Sequence, residues 1–427
     1  MSLDPVRLVA SLTPERLAAE RWFADKSREI VRVRLVDALL AEPESALIVL
    51  EVDFADGPPG RYTLPHGHWA PLLAALAEGP VVGRFGRFEL RGADGLGPVA
   101  TERLLGVDQS HTSYVLDERV VLKCYRRLQP GLHPEVELVS FLSGRAEVPA
   151  ALGALFYAGA DGSEGALALL QDYVPLARDG WTWVEERLVA ALAGEESVEA
   201  AAAWATELGA VSSRLHAALE QAPGARVATR EDLRSWRRAA EEQLDRVLGL
   251  VDAETAAELR ADGTRIRAEL SRLEAPVEPP LLTRVHGDYH VGQVLHSPAG
   301  FHVIDFEGEP TKTAEERRAV ASPLRDVAAM LRSFDHLARW TLREHPEPAR
   351  LRAAEAWIAE ARRRFLAAYG AVDASLLRAL EVEKETYEFS YAAAFIPSWM
   401  FVPRQAMRTL LGEPPPAADE TIAAGSP

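Results

Sequence analysis

The chain has 427 residues, 48% hydrophobic and 26% charged, with 47 Lys plus Arg against 64 Asp plus Glu for a formal charge of -17. At about 100 to 200 residues per domain, that length suggests two or three domains with cores of their own, and so acidic a chain repels the phosphates of nucleic acid and anionic lipid. The single cysteine, Cys124, rules out a disulfide framework, an iron–sulfur cluster and a cysteine-built zinc site, and fits a reducing cytoplasm.

The opening MSLDPVRLVASL has no signal-peptide pattern. From about residue 30 to residue 100, alternating stretches such as SALIVLEVDF and GRFGRFEL lie between Gly and Pro clusters, which predicts a β-rich N-terminal domain with a leading helix over residues 1–100. Residues 101–175 predict an α+β unit: strands at Tyr114–Leu116 and Arg119–Tyr125, a helix starting after Pro134, and LALLQDYV as a further strand. The longest apolar run, Val148 to Ala160, is interrupted by Pro149 and Gly153 and falls short of a membrane span. Beyond Trp181 the chain turns rich in Ala, Leu, Glu and Arg with apolar residues at helical spacing, so residues 176–411 read as a mostly helical unit and the fold class is α+β. Inside that unit, QVLHS and FHVIDF are joined by PAG and predict a hairpin within Leu281 to Glu309. Residues 412–427 lack apolar periodicity and read as a disordered tail.

The hairpin carries the chemistry. In RVHGDYHVGQVLHSPAGFHVIDFEGEP, Asp288 precedes the first strand, Gln293 starts it, and Asp305 ends the second. A hairpin returns its outer ends to one place, so two acids and an amide converge there. That set suits magnesium-dependent phosphoryl transfer, in which one acid orients the attacking hydroxyl and oxygen donors hold the metal. Either segment alone would read as a turn or a strand-end cap; both, in this order across one hairpin, favour the chemistry. His286 and His290 have zinc-like spacing, but the intervening Gly287 and the following strand argue for a loop rather than a metal-binding helix.

HGDYHVGQ followed by VIDFEGE resembles the catalytic and metal-binding segments of the aminoglycoside phosphotransferase-like kinases, a branch of the protein-kinase-like fold. The continuation DFEGEPTKTAEERRAVASPLRDVAAMLRSFDH is similar to the maltokinase-like sugar kinases. The resemblance implies a bilobal kinase with ATP and Mg2+ as cofactors. Asp288 would be the catalytic base at the acceptor hydroxyl, Asp305 and Gln293 would bind metal, and Glu309 would support a second ion. RVVLKCYRRLQPGLHPEVEL offers Lys123 on a strand, to contact the α and β phosphates, and Glu137 on the next helix as its partner. No GxGxxG occurs; VDQSHTSYVL would instead supply the hydroxyls of Ser110, Thr112 and Ser113. LALLQDYVPL resembles the strand into the interlobe hinge, where adenine would meet the chain around Gln171, Tyr173 and Val174. His286 and Asp326 would hold the catalytic loop in place, with His216 packing beneath it. AERWFADKSREI resembles the opening of an N-terminal cap, in which Trp22 and Phe23 read as packing residues.

For the acceptor, EKETYEFSYAAAFIPSWMFVPRQAMRTLL combines acids with aromatics, a common recipe for a sugar site, and Glu385, Tyr387 and Trp399 are its candidates. Maltokinases carry a stretch like YEARNRPxW where this chain has YAAAFIPSW. The pattern resembles a sister subgroup that phosphorylates glucosamine on its 6-hydroxyl, whose ammonium would suit an acidic pocket. The implied reaction is ATP-dependent glucosamine phosphorylation in the cytoplasm, with small-molecule partners and neither nucleic acid nor membrane. Maltokinase, an aminoglycoside or amino-alcohol kinase, and a silent pseudokinase are the alternatives.

Overall fold

A computed structural model describes residues 3–412 apart from residues 24, 43, 94, 108–110, 310 and 311, so Ser110 and the expected tail beyond Gly412 lie outside the described residues. The chain divides into two compact units, residues 1–144 with 148–175, and residues 145–147 with 176–427. Among the described residues no helix is long and apolar enough to cross a membrane.

The first unit opens with α1 (Pro5–Ala10) and α2 (Pro14–Ala19), each started by a proline and capped by Asp4 or Thr13. An antiparallel sheet follows, in the order β1 (Ile30–Ala41), β2 (Ser45–Phe54), β3 (Gly57–His66), with α3 (Trp69–Ala77) after it. The central strand β2 is buried almost throughout, which explains its continuous run of aliphatic residues. A seven-stranded sheet comes next, made of β4 (Val81–Val82), β5 (Gly86–Arg91), β6 (Glu102–Val107), β7 (His111–Leu116), β8 (Val120–Tyr125), β9 (Ala151–Gly159) and β10 (Glu164–Asp172), ordered β4-β5-β9-β10-β8-β7-β6. Helix α4 (Pro134–Leu142) lies between β8 and β9 in sequence.

The expected boundary at residue 100 is not where the chain divides. Strand β5 pairs with β9 from Gly86↔Gly159 to Arg91↔Ala154, so residues assigned to the N-terminal domain belong to the sheet that carries Lys123. One apolar core also joins Leu47 and Val49 of β2 and Trp69 and Leu72 of α3 to Phe88, Leu122, Leu155 and Leu170. Shared ladder and shared core join the N-terminal strands and the Lys123 sheet in the one compact unit of residues 1–144 and 148–175.

The second unit is mostly helical, as its composition predicts: β11 (Arg178–Asp179), α5 (Gly180–Ala193), α6 (Val198–Ala201), α7 (Trp204–Leu219), β12 (Arg226–Val227), α8 (Arg230–Leu250), α9 (Ala253–Ser271) and β13 (Leu281–Leu282), then the hairpin β14 (Val294–Ser297) and β15 (Gly300–Val303), then α10 (Ala314–Arg318), α11 (Leu324–Leu342), α12 (Pro348–Tyr369), α13 (Ala374–Phe395) and α14 (Phe401–Leu410). The hairpin pairs from Val294↔Val303 to Ser297↔Gly300, with β11 on its other edge. Aromatic rings of Trp204, Phe334, Trp357 and Phe365 interlock where α7, α11 and α12 meet. Helix α11 is buried along most of its length and forms the axis against which the catalytic-loop candidates are set.

Candidate functional site

In the first unit, β-branched and apolar neighbours make VVLKCY a central strand, and Lys123 is only 5% exposed between Ser113 of β7 and Leu169 of β10. A buried ammonium requires a counter-charge. Glu135 supplies it, with Nζ to Oε2 at 2.8 Å and to Oε1 at 3.0 Å, and Tyr125 donates its hydroxyl to the same carboxylate at 2.8 Å. Glu135 thus stands at Lys123 where Glu137 was expected. A helix advances about 100° per residue, so the two acids lie on nearly opposite faces of α4, and Glu135 shares its face with buried Leu138, Val139 and Leu142.

The three hydroxyls expected at the phosphates separate. Ser113 stands opposite Lys123, on its face of the sheet. Thr112 stands opposite Cys124 on the other face, is buried, and accepts from Arg126 Nε at 2.9 Å, which takes it out of a phosphate-binding role. At the end of β10, the Gln171 amide is directed to the Pro149 carbonyl at 3.4 Å and the Tyr173 N–H to the Arg119 carbonyl at 2.8 Å. Arg103 donates to the Tyr173 hydroxyl at 3.3 Å. Val174 makes no backbone–backbone hydrogen bond among the described residues.

In the second unit, Asp326 anchors the Asp288 loop through the loop's backbone. Its carboxylate accepts from the N–H of His286 at 2.8 Å and of Gly287 at 2.9 Å, and it lies 3.2 Å from His216 Nε2. Burial works to raise its pKa, but the hydrogen bond and charge of His216, the charge of His286 and the Gly287 amide hold it below the ordinary carboxylate range. His216 Nδ1 meets the Tyr369 hydroxyl at 2.8 Å, so both of its ring nitrogens are engaged inside the unit. His286 Nδ1 accepts from the Asp288 N–H at 3.3 Å, which places its proton on Nε2, facing the Ile304 carbonyl at 2.9 Å. Gly287 takes φ 84°, a conformation that side-chain-bearing residues rarely adopt.

Through these ties the loop is fixed while the Asp288 carboxylate itself stays partly open, 22% exposed, with His290 Nε2 at 3.9 Å. Burial pushes the His290 imidazole below its ordinary pKa, which favours the neutral ring.

The hairpin's outer end brings the oxygen donors together. Gln293 sits in a short turn just before β14, and its carbonyl accepts from the Ile304 N–H at 3.0 Å, one residue before Asp305. Asp305 adopts φ 65° past the end of β15, and carboxylate oxygens of Asp305 and Glu307 lie within 4.8 Å of one another. Glu309, expected to support a second ion, pairs with Lys312 at 2.6 Å. Glu307 has no role in the motif reading, although DFEGE sets it two residues from Asp305. All-oxygen donors at this end match what a hard divalent ion takes.

Helix α13 separates its acids. Glu385 is fully buried and faces His336 at 3.0 Å and Arg332 at 3.6 Å, so its charge is used inside the unit and it is not a ligand contact as expected. Its neighbour Glu388 pairs with Lys384 at 3.0 Å on a partly open surface. Lys384 rests over the Tyr387 ring at 4.4 Å; burial acts to lower its pKa, but the charges of Glu388, Asp288 and Glu309 raise it overall. Burial of Glu388 is likewise outweighed by Lys384, leaving its carboxyl below the ordinary range. Tyr391 joins Tyr387 at 6.3 Å between ring centroids and is close enough to Asp288 and Glu388 to feel their charges. Trp399 packs against Trp340 at 5.0 Å and Trp181 at 6.2 Å. A cleft of roughly 470 Å3 has Gly287, Glu309, Lys312, Lys384 and Tyr387 on its walls.

Comparison with known proteins gives a consistent result. The profile of a phosphotransferase enzyme family matches residues 101–380. Curated relatives include the glucosamine kinase of Streptacidiphilus jiangxiensis, 34% identical over 377 residues, 83% of this chain and 82% of that one. The glucosamine kinase of Mycolicibacterium smegmatis is 33% identical over 388 residues, 88% of this chain and 95% of that one. A solved glucosamine kinase in complex with glucosamine, ADP and inorganic phosphate superimposes with a TM-score of 0.73 at 30% identity, covering 96% of this chain and 100% of that one.

Proposed function

Because the chain belongs to the phosphotransferase enzyme family, we propose that it transfers the γ-phosphoryl group of ATP to glucosamine, on the 6-hydroxyl. The observation that carries this reading is the state of Asp288: its loop is held by Asp326 through backbone N–H groups, so its carboxylate is fixed in place without being consumed.

In the reaction Asp288 accepts the proton of the acceptor hydroxyl as that oxygen bonds to phosphorus, and ADP departs with the electron pair of the broken P–O bond. Lys123, paired with Glu135, neutralises nucleotide phosphate. Val174 offers its peptide to the adenine edge. Magnesium, which the oxygen donors of Asp305, Glu307 and Gln293 fit, would neutralise charge on the phosphates. Glu388 is the carboxylate for the sugar's ammonium, with Lys384 holding it ionised and Tyr387 and Tyr391 beside it. Both fixed charges and bound reactants act by positioning, with no covalent intermediate on the protein. A buried Cys124 thiol suits a reducing cytoplasm, where we place the reaction.

The test is ADP release with ATP and magnesium over glucosamine, glucose, maltose, N-acetylglucosamine and an aminoglycoside, with Asp288→Asn as the blank. Selective turnover of glucosamine supports the assignment. Preference for maltose would move the chain to the maltokinases, and silence across the panel would make it a nucleotide-binding scaffold.

A further inference from the structure

Arg126 follows directly on β8, three residues after Lys123, and side-chain alternation turns it to the opposite face of the sheet. It is buried at 7% exposure, and among the described residues no carboxylate pairs with it. Among the described residues its guanidinium meets neutral partners: Nε donates to Thr112 Oγ1 at 2.9 Å, Nη1 donates to the Thr63 carbonyl at 3.3 Å, and the Trp22 ring lies 4.9 Å away. A buried cation with no counter-ion among the described residues is costly, and apolar packing alone would tolerate a cheaper residue here.

What the arrangement gains is a junction. The Arg126 carbonyl accepts from the Thr63 N–H at 2.7 Å, and Leu128 N–H donates to the Arg61 carbonyl at 2.9 Å, so the chain leaving β8 is tied to β3. Trp22 belongs to the core that holds Phe23, Phe54 and Tyr62, and Tyr62 in turn hydrogen-bonds Asp25. On the other side, Thr112 is the β7 residue directly opposite Cys124, so its bond to Arg126 is a diagonal tie across β7 and β8. The adjacent rung is Ser113↔Lys123.

We propose that Arg126 is a positioning residue through which the N-terminal three-stranded region fixes the β7–β8 register, and with it the grip of Lys123 on the nucleotide. This rests on Lys123 as the phosphate-binding residue of the proposed reaction. The N-terminal region is then a working part of nucleotide binding rather than an appendage.

The experiment measures ADP affinity by calorimetry, and KM for ATP and for glucosamine, in the full-length wild type, Arg126→Met, Thr112→Val and the double variant. Arg126→Met keeps the apolar stem and removes the guanidinium; Thr112→Val keeps the shape and removes the acceptor. Arg126→Met is expected to weaken ADP and raise KM for ATP by about tenfold with KM for glucosamine unchanged, and the double variant is expected to be no worse than the stronger single change. A general packing defect would lower the melting temperature and the active fraction without separating the two KM values. Wild-type ADP affinity in folded Arg126→Met overturns the proposal. If that variant does not fold, unchanged ADP affinity in Thr112→Val overturns it equally. A wild type that binds ADP but ignores glucosamine would fail the proposed reaction and leave this test standing.

Discussion

The two units hold their functional side chains by opposite means. In the sheet-rich unit Lys123 is held by direct contact of its charged end with Glu135, where both groups are almost wholly buried. In the helical unit Asp288 is placed by everything except its charged end: Asp326 takes the backbone N–H groups of the two preceding residues, and His286 takes its own. A cation that must remain charged and still benefits from neutralisation by Glu135 in the absence of ligand, and a base that must remain free for a proton, require these two different supports.

Breaking the contrast at its strongest point, Asp288→Asn removes the base while leaving every tie to Asp326 in place. Turnover should fall by about 10^3 to 10^4 with ADP affinity and melting temperature near wild type. Retained turnover within tenfold would sink the role of Asp288.

Asp326→Asn attacks the support instead of the base. We expect turnover lower by about 10^2 and unfolding free energy lower by about 2–3 kcal/mol at pH 7, because charge-assisted bonds to two N–H groups and His216 become neutral ones. The carboxyl's pKa is depressed in the fold, so its contribution to stability is complete above its unfolded value, near pH 4, and is lost as pH falls through the folded value. The stability gap between wild type and variant, followed by urea unfolding, should therefore narrow on going from pH 7 to pH 3; a constant gap would mean the charge is not what matters.

Two changes on single helices sharpen the comparison further. Glu135→Gln should raise KM for ATP by about tenfold, because the buried Lys123 loses its counter-charge, while Glu137→Gln should stay within about twofold of wild type. Equal effects would place both acids at the lysine. Glu388→Gln should raise KM for glucosamine by about tenfold and leave KM for ATP alone, as a lost ammonium contact would.

The smallest effect expected is at the hairpin's metal end. Glu307→Gln should raise the magnesium concentration for half-maximal activity by several fold, and Glu309→Gln, whose charge is paired with Lys312, by about twofold at most. A titration of activity against magnesium decides between the two acids.

Much of this was legible where function is local in sequence. The HGD loop, the hairpin and the lysine strand follow from short motifs and alternation, whereas Asp326 follows only from the resemblance of SPLRDVAAML to the helix-borne acid of the kinase family. The choice between Glu135 and Glu137 was readable too: Leu138, Val139 and Leu142 fall three, four and seven residues after Glu135, which marks its face as the buried one. Likewise Thr112 and Lys123 point oppositely once the hairpin turn at Asp117–Arg119 fixes the register. Other features depend on distant partners. That Glu385 turns inward while Glu388 does not is decided by Arg332 and His336 on α11, and nothing within EKETYEFSY announces them. The boundary placed at residue 100 failed for the same reason, since the pairing of β5 with β9 spans some seventy residues that local pattern cannot bridge.

Cys124, between Lys123 and Tyr125, is the chain's single thiol; it is buried in the sheet, and burial pushes its pKa up to about 11. At neutral pH it is therefore a protonated, inaccessible group that maleimides and iodoacetamides do not reach. The native chain is in effect a cysteine-free background for surface chemistry. One cysteine introduced at an exposed position would be the sole reactive handle for a fluorophore or spin label, with no need to mutate the strand that carries Lys123.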